Sequence, residues 1–98
     1  MTKNVRQQIV ISGVGGQGVL FVTRLLAEAA ITRGLAVLTS ETHGMAQRGG
    51  SVVSHLKVGD FTSPLIRSGS ADGFLGLKAE SLDLHGHFAH AQGWRIVN

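Results

Sequence analysis

Four glycines within Gly13-Val14-Gly15-Gly16-Gln17-Gly18 constrain this fold more than any other feature of the sequence. The run before them, Ile9-Val10-Ile11, is short and β-branched, the pattern of a strand buried on both faces. Behind them Val22, Leu25, Leu26, Ala29 and Ala30 recur at helical spacing. This predicts one apolar stripe on a helix that ends near Arg33, with Gly34 as its stop. Residues 35–39 read as a second apolar strand. Strand, glycine loop, helix and strand make a βαβ unit with a right-handed crossover and parallel strands. In such a unit Gly13 permits the tight exit from the strand, Gly15 lets backbone approach a ligand, and Gly18 lets helix and strand pack closely. The helix N-terminus behind them offers unpaired N–H groups to a phosphate or carboxylate.

Further along, residues 41–50 are polar and glycine-bearing without apolar periodicity. A third strand over 51–58 then places Val52, Ser54, Leu56 and Val58 on one face and Val53, His55 and Lys57 on the other. The connection before it is short for a parallel crossover, so this strand is expected to run antiparallel or to lie at the sheet edge. Residues 61–70 read as loop, Phe74, Leu75 and Leu77 as a fourth strand, 80–91 as a weak helix and 94–97 as a last strand. The predicted class is α/β: a Rossmann-like, three-layer, mostly parallel sheet with a glycine loop after the first strand. A final strand without a helix to cover it is expected of a partial domain, so residues 1–98 are read as one truncated domain.

Composition narrows the function classes. The chain has 98 residues, room for one domain with a modest core. A net charge of +3 invites a nucleic-acid reading. However, the basic residues from Lys3 to Arg95 are dispersed, with Glu28, Glu41, Asp60 and Asp72 among them. No basic run interleaves with aromatics, so no nucleic-acid partner is expected. Cysteine is absent, which excludes disulfides, thiolate catalysis and a cysteine-held iron–sulfur cluster on these residues. The polar residues 1–8 lack a signal core, and no apolar run approaches the ~20 residues of a membrane helix. A cytoplasmic protein without membrane attachment is expected.

The glycine loop alone leaves two readings open. A dinucleotide site wants an acid at the end of the second strand, and Glu41 stands roughly there. Gly16 and Gln17 are unusual fillers for it, and no second mononucleotide half follows. Alternatively, the glycines serve only tight packing. The second constellation, Glu41-Thr42-His43-Gly44-Met45-Ala46-Gln47-Arg48-Gly49-Gly50-Ser51, leaves the carboxyl end of the second strand, where open α/β sheets place their ligands. Arg48 beside Gly49-Gly50 can present its planar fork to a carboxylate or phosphate. His43 has no evident Ser or Cys nucleophile to activate, so no catalytic residue is assigned. His85, His87 and His90 form H-x-H-x-x-H, read as a solvated helix face rather than a metal site.

Gly13 through Val19, the Leu/Ala helix, and the run His43-Gly44-Met45-Ala46-Gln47-Arg48-Gly49-Gly50 with Ser51-Val52-Val53-Ser54-His55 together resemble the gamma-type domain of 2-oxoacid:ferredoxin oxidoreductases. The wording is most similar to the indolepyruvate type. The likeness runs on through Ser63-Pro64-Leu65-Ile66 and Ala71-Asp72 to Val97-Asn98, while the family's domain is about twice as long. The resemblance implies a non-redox subunit of a thiamine-dependent enzyme. That enzyme decarboxylates a 2-oxoacid on thiamine diphosphate, passes electrons through iron–sulfur clusters to ferredoxin, and transfers the acyl group to coenzyme A. It implies a large thiamine/iron–sulfur subunit as partner, with no cofactor bound by this chain alone. It also assigns Gly13, Gly15, Gly16, Gln17, Gly18, Glu41, His43, Gly44, Gln47, Arg48, Gly49 and Gly50 to the subunit interface or coenzyme A pocket. A stand-alone nicotinamide- or flavin-binding module is the alternative.

Overall fold

A computed structural model describes residues 6–14, 16–42 and 51–98. The β-branched run extends into β1 (Gln7–Val14), and α1 (Gly16–Thr32) begins almost at once. Gly34 then takes a positive φ of 80° and closes the helix, as its C-terminal position predicts. β2 (Val37–Thr42) and β3 (Ser51–Val58) follow, then β4 (Ala71–Gly76), α2 (Ala79–His85), a 3₁₀ turn (Gly86–Phe88) and β5 (Ala89–Val97).

The five strands form one sheet in the order β2-β3-β1-β4-β5. β1 pairs in parallel with β4, and β4 with β5. β3 runs antiparallel to both β1 and β2, so the other four strands all point one way. The direction expected of β3 is therefore found, but its place is interior, not at an edge. β1 and β2 are parallel in direction without being neighbours, because the hairpin partner of β2 has slid between them.

Alternation along β3 divides the core as the sequence predicts. Val52, Leu56 and Val58 join Ile11 and Val19 of α1 on one face. Val53 joins Val10, Phe74, Ala71, Ala89 and Ile66 on the other. α1 covers β1, β3 and β2 on the first face, while α2, the 3₁₀ turn and the loop around Ile66 cover the second. This makes the three layers.

The buried stripe of α1 differs from the predicted one by about one position. Val19, Val22, Thr23, Leu26, Ala27 and Ala30 turn inward, while Leu25 and Ala29 face out. The rotation is set at the helix start, where Val19 drops into the space left by Gly13. A Cβ there would stand 2.9 Å from Val19 Cγ2 and 3.3 Å from Leu77 Cβ. At Gly18 the corresponding distance, to Leu77, is an ordinary 3.4 Å. The close helix–strand approach expected of Gly18 is thus made chiefly by Gly13.

The weak helix predicted over 80–91 stops early. α2 ends before Gly86, and residues 89–97 are captured by parallel pairing with β4. Between the pairs Ala71↔Ala89 and Gly73↔Trp94 the register shifts. The surplus residues bulge, with Gly93 held so close to the carbonyl of Asp72 that a Cβ would lie 2.8 Å from it. Arg95 ties the bulge together by donating to the carbonyls of Ala89, His90 and Gly93. On the β4–β5 half of the sheet, Trp94 (39% exposed) lies over Gly73 and Ile96 is 58% exposed.

Candidate functional site

Both glycine-bearing motifs are anchored at the same edge of the sheet. Gly13 and Val14 end β1, and Gly16, Gln17 and Gly18 form the first turn of α1. No acidic side chain occupies that turn, so nothing within it offsets the partial positive charge of the helix start. Gly15, His43, Gly44, Gln47, Arg48, Gly49 and Gly50 lie outside the described residues. The two ends of the 43–50 segment are nevertheless placed: Thr42 pairs with Val53, and Ser51 pairs with Val14. The second motif therefore leaves the sheet from β2 and rejoins it on β3 directly beside the glycine loop.

Glu41 sits on β2 opposite Ser54, exposed, and lines a 280 Å³ groove with Leu20, Thr23, Arg24, Ala27 and Thr39. This position bears on the dinucleotide reading. With β3 interposed, β2 lies two strand spacings from β1, roughly 10 Å rather than the ~5 Å of a neighbouring strand. An acid at the end of β2 is thereby carried away from the glycine loop, and the ribose contact of a Rossmann site loses its geometry. The hydroxyl of Ser54, on this same face, is buried without a hydrogen-bond partner among the described residues.

On the opposite face the structure assembles a histidine cluster that spacing along the sequence does not reveal. His85 closes α2 and its Nδ1 stands 2.7 Å from Ser12 Oγ on β1. Ser12 is only 1% exposed, so this pair fastens α2 to the sheet and is closed to a substrate. His55 Nδ1 accepts the N–H of Ile66 at 2.9 Å, which puts the proton of the neutral ring on Nε2. Its ring meets Phe88 edge-on, with His87 stacked on Phe88. Burial holds the His55 pKa below its ordinary value, helped by the Lys57 ammonium and by His85. Burial also lowers that of His85, with His87 adding to it. His90 instead approaches Asp72 at 3.5 Å from the β5 bulge. His85, His87 and His90 thus lie in a helix end, a 3₁₀ turn and a strand. Among the described residues no group of three or more His, Asp or Glu could hold a metal ion. No described helix is long and apolar enough to cross a membrane.

A mixed five-stranded sheet with a glycine loop, an inserted antiparallel strand and a second motif at the same edge defines the class. The chain belongs to the pyruvate ferredoxin/flavodoxin oxidoreductase family, whose model matches residues 8–98. Among its relatives, indolepyruvate oxidoreductase subunit IorB of Archaeoglobus fulgidus is 53% identical over 79 residues, covering 80% of this chain and 39% of that protein. The subunit of the same name from Methanothermobacter thermautotrophicus is 44% identical over 64 residues, 65% of this chain and 33% of that one. The chain thus spans about two-fifths or less of these curated relatives. The gamma subunit of a keto/oxoacid ferredoxin oxidoreductase from Geobacter sulfurreducens superposes with a TM-score of 0.74 at 30% identity, over 95% of this chain and 50% of that one. Pyruvate oxidoreductase subunit PORC of Thermotoga maritima shares the fold, with a TM-score of 0.74 at 23% identity over 95% of this chain and 49% of that one.

Proposed function

We propose that this chain is part of the non-redox, gamma-type subunit of a thiamine-dependent 2-oxoacid:ferredoxin oxidoreductase, of the indolepyruvate type. It packs against a large thiamine/iron–sulfur subunit, through which ferredoxin is reached, and helps enclose coenzyme A in the cytoplasm. The observation that carries the reading is the meeting of the two glycine-bearing motifs at one sheet edge, in a chain so similar to the IorB subunits. The bare first turn of α1 suits an anionic group such as a coenzyme A phosphate. When bound, coenzyme A supplies the thiol that accepts the acyl group. Gly15, Gly16, Gln17 and Gly18, with Glu41, His43, Gly44, Gln47, Arg48, Gly49 and Gly50, are assigned to the subunit interface or coenzyme A pocket. Gly13 acts from behind, by letting Val19 seat α1. No catalytic side chain is assigned. Residues 1–98 form part of a gamma-type domain, and the exposed Trp94 and Ile96 support further protein covering that half of the sheet.

Co-expression with a thiamine/iron–sulfur large subunit tests this. The complex should co-purify and reduce a dye in a reaction dependent on indolepyruvate and coenzyme A. Arg48→Ala and Gly16→Val should impair assembly or raise the coenzyme A requirement. Unchanged assembly and oxidation in both variants would refute the site assignment. Saturable NADH binding abolished by Glu41→Ala would favour the dinucleotide module instead.

A further inference from the structure

A second pocket, of 470 Å³, opens at the other end of the sheet, between β1, β3 and the loop of residues 59–70. Gln8, Lys57, Ser63, Leu65, Arg67 and Ser70 line it. Gln8 and Gly13 are five residues apart on β1, which puts the pocket about 17 Å from the glycine loop. Its two ionisable lining groups are both cations, and its hydroxyls and amide add neutral donors.

The walls are fixed in advance. Ile66 is buried and its N–H is held by His55, while Gly69 N–H and Ser68 Oγ both donate to the carbonyl of His87. Gln8 Nε2 donates to the carbonyl of Ser70. Lys57 is 8% exposed, with its ammonium 5.1 Å from the centre of the Phe61 ring. Arg6 stacks on the same ring at 4.2 Å and donates to the carbonyl of Asp60. Nearby Asp72 has its oxygens turned to the N–H of Gln8 and to His90, not to Lys57 or Arg67. Lys57 is nearly buried and, among the described residues, neither it nor Arg67 is paired with a carboxylate, which leaves this pocket wall electropositive, since a buried cation ordinarily has an anionic partner.

We propose that this pocket binds a small phosphorylated molecule, with Lys57 and Arg67 on the phosphate and Ser63 and Ser70 as further donors. Guanidinium and ammonium groups together make charge-assisted hydrogen bonds to a dianion that neutral groups could not match. The volume exceeds what a phosphate needs and falls in the range of small-molecule sites, so an organic portion has room beside it.

The test is an amide-resolved NMR titration of the full chain with inorganic phosphate, glycerol 3-phosphate and acetate. Saturable shifts are expected at Gln8, Lys57, Ser63, Arg67 and Ser70 with both phosphates, and weaker binding with acetate. Tighter binding of the ester identifies a phosphorylated metabolite, and equal binding identifies free phosphate; both uphold the site. Arg67→Ala, at an exposed position, and Lys57→Gln should each weaken binding roughly fivefold, while the charge-matched control Arg33→Ala should not. Non-saturating shifts, shifts centred on the start of α1, or an affinity indifferent to Arg67→Ala would overturn the proposal.

Discussion

Gly13→Ala probes the contact on which the orientation of α1 depends. The added methyl would sit 2.9 Å from Val19 Cγ2 and 3.3 Å from Leu77 Cβ, when ordinary contact begins near 3.4 Å. Val19 cannot swing aside, because it is fully buried and β-branched residues in helices hold one strongly preferred rotamer. Leu77 cannot yield either, since the atom in the way is its own Cβ. The helix must therefore lift by some tenths of an ångström along its first turn. Overpacking of this kind costs about 1–3 kcal/mol. Urea unfolding of the variant should show that loss in the midpoint with an unchanged slope. In a Val19→Ala background the same substitution should cost at least ~1 kcal/mol less, a coupling expected of touching residues. Rescue should remain incomplete because of Leu77. A cost below about 0.5 kcal/mol, the level of an indifferent surface change, or full additivity of the two substitutions, would refute the seating of Val19 on Gly13.

Stability should also fall as the pH drops through 6.5. His55 and His85 both have lowered pKa values in the fold, so below 6.5 the unfolded chain binds more protons than the native one. Their stabilising contribution is complete above 6.5 and is lost on acidification towards the folded values. Urea midpoints at several pH values should show this, and His55→Gln, which can still accept from Ile66, should flatten the profile. Ser54→Ala should be neutral or stabilising by up to ~1 kcal/mol in thermal unfolding, because it removes a buried hydroxyl that has no partner among the described residues. Ser12→Ala should cost about 1 kcal/mol in the same assay, by depriving His85 of its bond. Gly73→Ala would put a methyl inside the Trp94 indole. The ring must leave the sheet, and the emission of this sole tryptophan should shift to the red.

Local pattern carried much of the fold. The β-branched run, the glycine loop and Gly34 predict β1, α1 and the helix stop, and alternation over 51–58 predicts both faces of β3. What the pattern could not supply depends on contacts distant in sequence. The inward stripe of α1 is chosen by Val19 meeting Gly13 and Leu77, which no helical count registers. The pairing of Ala71 with Ala89 overrides the weak helical pattern of 80–91, whose polar residues bury too little to resist it. The Ser12–His85 bond joins residues remote along the chain, so His85, read with His87 and His90 as a solvated face, gave no sign of it, and His55 showed none of its bond to Ile66. Lys57 read simply as one member of an alternating strand, on the face of Val53 and His55. Only the packing of the 59–70 loop over it makes a buried cation.

The placement of the two glycine motifs follows from a loop length. The segment between β2 and β3, residues 43–50, is too short for a parallel return, which takes a dozen or more residues and usually a helix. β3 must therefore come back antiparallel, starting from the edge at which β2 stopped. Because that edge is also where β1 runs into α1, β3 starts beside the glycine loop, with Ser51 paired to Val14. β3 then finds its hydrogen-bond partner in β1 as well as β2, and so occupies the position a Rossmann fold reserves for β2. The same step that joins the motifs thus displaces Glu41 from the glycine loop. A variant that lengthened 43–50 with a flexible insert should preserve the sheet, because loop entropy grows slowly, at ~0.6 kcal/mol per doubling. It should nevertheless weaken assembly with the large subunit if residues 43–50 form part of that interface. Retained stability with unaltered assembly would place the interface elsewhere on the chain.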